Sequence, residues 1–220
     1  MSLNKSTGNM YDWVDYTFNM IKGKCPHDCT YCYMKKFKQN PVRFDEKEFK
    51  TDLGSGNTIF VGSSCDCLAD ALPEEWISKM LEHLRKYPDN TYLIQTKNPI
   101  AFNSWSGELP PGVIFGTTTE TNRSTNELSK APDTFQRYLW MKSITRIKHV
   151  SIEPVMDFDL NDFTEWIRDI NPRFVSIGAD SKGHKLPEPS PEKLNKLIAN
   201  LKQFTEVKIK PNLMRLINNA

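Results

Sequence analysis

Thr58-Ile59-Phe60-Val61-Gly62, then Trp76-Ile77-Ser78-Lys79-Met80-Leu81-Glu82-His83-Leu84, then Tyr92-Leu93-Ile94-Gln95 is the stretch whose reading decides the fold. The outer runs are β-branched, aromatic or apolar and end in small or polar residues, as strands do. Between them Trp76, Ile77, Met80, Leu81 and Leu84 recur at helical spacing, and Pro88 ends the pattern, which predicts a helix over 73–87. Strand, helix and strand in succession form a βαβ unit, whose two strands lie parallel.

The same alternation extends in both directions. Tyr16–Ile21 precedes the unit as a strand, and Val113–Thr117, His149–Ile152, Phe174–Ile177 and Glu206–Ile209 follow it. Helices are expected over Asp133–Ile144 and Asp162–Ile170. Another begins at Ser190 as N-cap with Pro191 in its first turn and carries Leu194, Leu197, Ile198 and Leu201 on one face. Six or seven such units predict an α/β fold with parallel strands, a partial (β/α)6-type TIM barrel. A closed eight-unit barrel typically needs about 250 residues, and this chain has 220. The chain reads as a single domain over 1–220, with an N-terminal extension over 1–15. Asn103–Gly112 and the proline-rich Asp180–Pro191 are expected to be long loops.

Composition narrows the function classes. Twenty-nine Lys and Arg against 27 Asp and Glu give a net charge of +2, so overall charge neither requires nor excludes a nucleic-acid partner. Met1–Met10 is polar, without an apolar signal core, and no run approaches the ~18 apolar residues of a membrane span. A soluble, cytoplasmic protein with no membrane partner is the expectation. All five cysteines fall between Cys25 and Cys67, a distribution that suits metal or redox chemistry and not a disulfide framework.

Three of these cysteines stand together in Cys25-Pro26-His27-Asp28-Cys29-Thr30-Tyr31-Cys32, in a loop over 22–34 directly after the first expected strand. Active-site loops of a βα barrel lie at such strand ends. Three thiolates can wrap one side of a four-iron cluster and leave its fourth iron without a protein ligand. A zinc-stapled binding module without catalysis is the alternative, with His27, Cys65 or Cys67 as fourth ligand. Against it, Cys65-Asp66-Cys67 has one intervening residue, where zinc pairs have two to four.

The triplet resembles the signature of the radical S-adenosylmethionine (SAM) superfamily, three cysteines separated by three and then two residues with an aromatic, here Tyr31, before the last. The resemblance implies that Cys25, Cys29 and Cys32 hold a [4Fe-4S] cluster. It further implies that SAM binds the open iron and is cleaved to methionine and a 5'-deoxyadenosyl radical, which abstracts hydrogen from a substrate. An electron donor such as flavodoxin or ferredoxin is implied as well.

Polar strings at later strand ends supply candidates for the rest of the site. In Gly62-Ser63-Ser64-Cys65-Asp66-Cys67 the resemblance places Ser63 and Asp66 near SAM, Asp66 at its amino group, although the family's usual Gly-Gly-Glu-Pro string is absent. Cys65 and Cys67 are candidate catalytic hydrogen donors, by analogy with spore photoproduct lyases. Lys97, in Gln95-Thr96-Lys97-Asn98-Pro99, suits a carboxylate or phosphate, while Thr118, Glu120 and Asn122 suit ribose or methionine groups. Glu153 ends the fifth strand, and Gly178 after the sixth permits close approach of backbone to an adenine.

The strings around Lys97, Glu153 and Gly178 resemble a phage-associated branch of radical SAM proteins related to spore photoproduct lyases, which extends the resemblance over most of the chain. That branch often spaces its first two cysteines farther apart. The branch implies modification of a nucleotide or nucleic-acid base; a glycyl-radical activase acting on a partner protein is the alternative enzyme. The aromatics Tyr11, Trp13, Tyr16 and Phe18 are expected to pack rather than to stack on a base.

Overall fold

A computed structural model describes residues 3–217; the expectation for Met1 and Ser2, within the polar N-terminus, lies outside the described residues. The chain first forms β1 (Asn4–Lys5), β2 (Tyr16–Phe18), β3 (Ile21–Lys22) and β4 (Arg43–Phe44). Strands and helices then alternate: β5 (Thr58–Val61), α1 (Glu74–Arg85), β6 (Thr91–Thr96), α2 (Ala101–Ser104), β7 (Val113–Thr118), α3 (Thr134–Ser143) and β8 (Lys148–Ile152). The series ends with α4 (Leu160–Ile170), β9 (Phe174–Ile177), α5 (Pro191–Leu201), β10 (Glu206–Ile209) and α6 (Met214–Ile217).

The main sheet has the order β1-β2-β5-β6-β7-β8-β9-β10. Its strands from β2 to β10 pair in parallel, and β1 adds an antiparallel edge. The architecture is the α/β partial barrel that the sequence predicts, open between its two edge strands.

Alternation along the strands assigns the two faces. Ile59, Val61, Tyr92, Ile94, Val150, Ile152, Val175 and Ile177 join one core with Ile77, Met80 and Leu81 of α1, Phe163 and Ile167 of α4, and Leu194 and Leu197 of α5. This is the outer face, under the helices. Phe60 and Leu93 face inward and meet Tyr11 and Val14 of the N-terminal segment. Trp13 lies edge-on to Phe174 at 4.8 Å and to His149 at 5.4 Å. With both faces covered, every residue of β8 and β9 is buried, as in parallel sheets generally.

Helix boundaries follow from local chemistry. Asp133 caps α3 in a reciprocal capping box with Gln136, and Ser190 caps α5 by accepting from the Lys193 amide. Asn171, in the left-handed region, ends α4.

Three expectations need correction. The strand expected over Tyr16–Ile21 divides at Asn19, whose side chain accepts from the Ser64 amide at 2.9 Å and draws the chain out of the sheet. Ile21 and Lys22 then pair with Phe44 and Arg43 in a separate ladder. The loop expected over Asn103–Gly112 opens inside the short helix α2, and α4 starts at Leu160, two residues ahead of the expected Asp162.

Candidate active site

The strands of a parallel barrel all end on the same side, and there a cavity of about 660 Å³ opens. Ser63 after β5, Lys97 after β6, Thr118 at the end of β7, Glu153 after β8, Asp180 after β9 and Lys210 after β10 line it. Cys25, Cys29 and Cys32 form part of its wall, and Asn9 and Tyr11 reach in from the N-terminal segment.

A buried ionic cluster fixes the cysteine wall. Lys97 Nζ stands 2.7 Å from Glu120 Oε1, 2.8 Å from the Tyr31 hydroxyl and 3.4 Å from Cys29 Sγ. Tyr31 donates to the same Glu120 oxygen at 2.5 Å. The other Glu120 oxygen accepts from Arg137 Nη1 at 2.9 Å, and the two side chains are wholly buried. Burial would push the Glu120 carboxyl up, but the two cations outweigh it and hold the group well below the usual carboxylate range. For Lys97 the balance runs the same way: burial favours the neutral amine, Glu120 prevails, and the ammonium persists. A fixed positive charge therefore sits beside the Cys29 sulfur.

Asp66 fixes the loop from the other side. Its carboxylate meets His27 Nε2 at 2.9 Å and accepts from the Thr96 hydroxyl, the Lys97 amide and the Leu68 amide. The Cys65 thiol points to the Asp66 carbonyl at 4.0 Å, and its proximity to Cys25 favours the Cys25 thiolate.

The donor set fits a cluster bound through three thiolates. All five cysteines are free, and the three of the triplet face one cavity. Among the described residues no three His, Cys, Asp or Glu side chains are gathered closely enough to hold a single metal ion. His27, one of the three candidate fourth zinc ligands, turns its Nε2 to Asp66. Three thiols on one cavity wall, with a lysine beside one of them, are donors of the kind an iron–sulfur cluster takes.

Across the cavity, Glu153 organises a second polar group. Its Oε2 accepts from Lys210 Nζ at 2.6 Å, and its Oε1 accepts from Asn9 at 3.0 Å and Asn212 at 3.2 Å. Lys210 also lies 4.8 Å over the Tyr11 ring, whose hydroxyl is hydrogen-bonded with Ser151 Oγ at 2.8 Å and Gln95 Oε1 at 2.9 Å.

Of the residues singled out in the sequence, Tyr31, Ser63, Cys65, Asp66, Lys97, Thr118 and Glu153 line the cavity with the three cysteines. Glu120 lies behind this lining as the partner of Lys97. Asn122 is elsewhere, exchanging hydrogen bonds with the Asp159 backbone. Gly178 backs Glu153 so closely that a Cβ there would lie 2.6 Å from Glu153 Oε1. Cys67 is buried outside the lining with its sulfur toward the Val61 carbonyl. Sequence reasoning missed Arg137, Lys210, Asn212 and Asn9. Lys210 directly follows the last strand, so the strand-end rule that selected Glu153 would have selected it too; Asn9 and Arg137 carry no comparable local signal.

Against this geometry stand the comparisons with known proteins. A family model described as "Protein of unknown function (DUF5131)" matches residues 9–186. No curated protein matches the sequence. Among solved structures, a spore photoproduct lyase mutant with bound AdoMet and dinucleoside spore photoproduct is similar, with a TM-score of 0.67 at 9% identity over 94% of this chain and 80% of that one. A second mutant of that lyase, with the dinucleoside photoproduct, has a TM-score of 0.67 at 11% identity over the same shares. SuiB of Streptococcus suis, bound to the precursor peptide SuiA, has a TM-score of 0.62 at 9% identity over 88% of this chain and 48% of that one. At such identities the likeness is one of fold, the α/β partial barrel described above.

Proposed function

This chain belongs to the DUF5131 family, and we propose that it is a radical SAM enzyme. The observation that carries this reading is the placement of Cys25, Cys29 and Cys32 together on the wall of the cavity at the strand ends. Cys25, Cys29 and Cys32 would hold a [4Fe-4S] cluster, whose chemistry there would be one-electron reduction of SAM to start radical chemistry on a substrate.

The chain's own residues serve this chemistry in separable ways. Lys97 sets its ammonium 3.4 Å from the Cys29 sulfur, and the Glu120–Arg137 pair keeps that lysine in place. Glu153, Lys210 and Asn9 present charged and amide groups across the cavity, where they can orient a bound molecule. Of the two cysteines considered as hydrogen donors, Cys65 is the one that faces the cavity, so the role falls to it. A nucleotide or nucleic-acid base is the proposed substrate, in keeping with the dinucleoside held by the similar lyase. A donor such as flavodoxin or ferredoxin and a cytoplasmic setting that keeps thiols reduced belong to the same reading.

Anaerobic reconstitution tests it. The protein should turn brown, absorb near roughly 400 nm and hold about four irons per chain, as thiolate ligation of a four-iron cluster requires. With a strong reductant and SAM it should release 5'-deoxyadenosine. Colourless protein that retains zinc, or a Cys29→Ala variant that still cleaves SAM, overturns the proposal.

A further inference from the structure

The cavity is bordered by cations that the chain leaves without acidic partners. From Lys22 to Arg43 the sequence carries six Lys or Arg and a single carboxylate, Asp28. Asp28 is already held by Lys24 and Lys35, and Lys22 is engaged by Asp45 and Glu48. Lys36 and Lys38 have no carboxylate among the described residues.

Exposed aromatics are interleaved with these lysines. Tyr33 is 40% exposed and Phe37 is 53% exposed, although both contribute to the cavity lining. Lys36 Nζ lies 4.7 Å over the Phe37 ring. The Tyr33 hydroxyl donates to the Ser63 carbonyl at 2.5 Å, which fixes that ring at the mouth. Exposed aromatic faces are costly in water unless something covers them, and a base stacks on such a face whatever its identity.

The segment after β9 continues the pattern. Lys182 lines the same cavity, and Lys185 lines a smaller groove that adjoins it through Asp180 and Ser181. Both lysines are exposed and lack an acidic partner among the described residues. The nearby acids are spoken for: Asp180 binds His184, and Glu188 binds Arg215. Inside the cavity Asp66 is likewise held by His27 and Glu153 by Lys210. The charge left over at the mouth is positive in both segments.

We propose that this lip docks a single-stranded nucleic acid, its phosphates meeting Lys36 and Lys38 in one segment and Lys182 and Lys185 in the other, with an unpaired base on Tyr33 and Phe37 at the cavity. The proposal deepens the enzymatic reading by naming the substrate as a strand, and it rests on that reading for the chemistry. Unpaired cations in two separate segments of the border call for phosphates along a chain, which a nucleoside monophosphate does not supply. A duplex keeps its bases stacked, whereas the aromatics at the mouth offer their faces to bases already unpaired. The even overall charge is no obstacle, because the excess is local.

Binding is read on the reconstituted protein by fluorescence anisotropy of a labelled oligonucleotide of about 12 nucleotides, within the span of single-strand sites. Four lysine–phosphate contacts predict a slope of log K against log salt near about −2.8, at roughly −0.7 per contact. The double variant Lys36→Ala, Lys38→Ala should make that slope shallower by about 1.4, and the matching Arg pair should restore it. Phe37→Ala should weaken binding about tenfold at fixed salt, the loss expected of one stacked base. A strand that does not bind, or binds with the same slope and affinity in every variant, overturns the proposal. So does equal or stronger binding to vesicles with anionic headgroups, or to the duplex of the same sequence. Binding is measured without SAM, so its failure and a failure to cleave SAM are separate results.

Discussion

Arg137→Met offers the sharpest test of how the cysteine wall is held. The substitution keeps a long apolar stem but removes the guanidinium that donates to Glu120 at 2.9 Å and to the carbonyls of Thr118 and Pro132 at 2.9 and 2.6 Å. Since the pair is wholly buried, water cannot replace the lost donor. Breaking a buried pair by removing one partner costs about 3–5 kcal/mol. Lys97 still faces one Glu120 oxygen, which argues for the lower end; the two orphaned carbonyls argue for the upper. For a chain of this length that is a fall in Tm of roughly 6–20 °C, at about 2–4 °C per kcal/mol.

Urea unfolding followed by circular dichroism, with all variants in the same cluster state, measures the cost. Comparison with Glu120→Gln and with the double variant then isolates the interaction between the two side chains. Once Glu120 is neutral, loss of Arg137 should cost at least about 1.5 kcal/mol less than in the native background, since contacting charges couple by about 0.5–3 kcal/mol. Costs that add within about 0.5 kcal/mol, as for independent sites, would refute the reading of Glu120 as a desolvated anion that needs both cations.

Other outcomes follow from separate features. Cys25→Ala, Cys29→Ala and Cys32→Ala should each lower iron content after reconstitution, while Cys67→Ala, outside the cavity, should retain it; equal iron in all four proteins would contradict the ligand assignment. Gly62 has φ of +76°, and a Cβ there would sit 2.8 Å from Cys67 Sγ. Gly62→Ala should therefore lose more than about 1 kcal/mol in urea, a loss that a shift below that value would dispute. His149 has no partner for its Nδ1, and burial, aided by Lys210 and Lys208, lowers its pKa from 6.5 to about 3. The folded ring stays neutral where the unfolded one takes up a proton, so stability present above pH 6.5 should drain as pH falls toward 3. His149→Gln should flatten that acid limb by several kcal/mol, and an unchanged limb would show that the ring reaches water.

What the sequence discloses and what it withholds divide along the same physical line. Strands and helices are written in local periodicity, and a parallel sheet then forces every strand to end on one side, so Lys97, Thr118 and Glu153 reach one cavity by topology alone. The break at Asn19 is also local in position, but its cause is the Ser64 amide 45 residues away, which no window along the chain contains. The site's remaining supports are more distant still. Tyr11 meets Ser151 across 140 positions, and Asn9 meets Glu153 across 144. Their residue types are ordinary for a polar N-terminal segment, and only the folded path of that segment through the barrel gives them a role.

The same reasoning explains why an even charge count concealed the lip. Charge summed over a chain reports how cations and anions balance in number, whereas a docking surface depends on which cations the fold leaves unpaired. Lys22, Lys24 and Lys35 belong to the same basic run as Lys36 and Lys38, yet folding sets acids beside the first three and, among the described residues, none beside the other two. Reversing charge at the unpaired positions should therefore weaken strand binding far more than reversing it at Lys24, although each change alters the net charge equally. Comparable losses at Lys24→Glu and Lys38→Glu in the anisotropy assay would mean that strand affinity follows the overall field and not the lip.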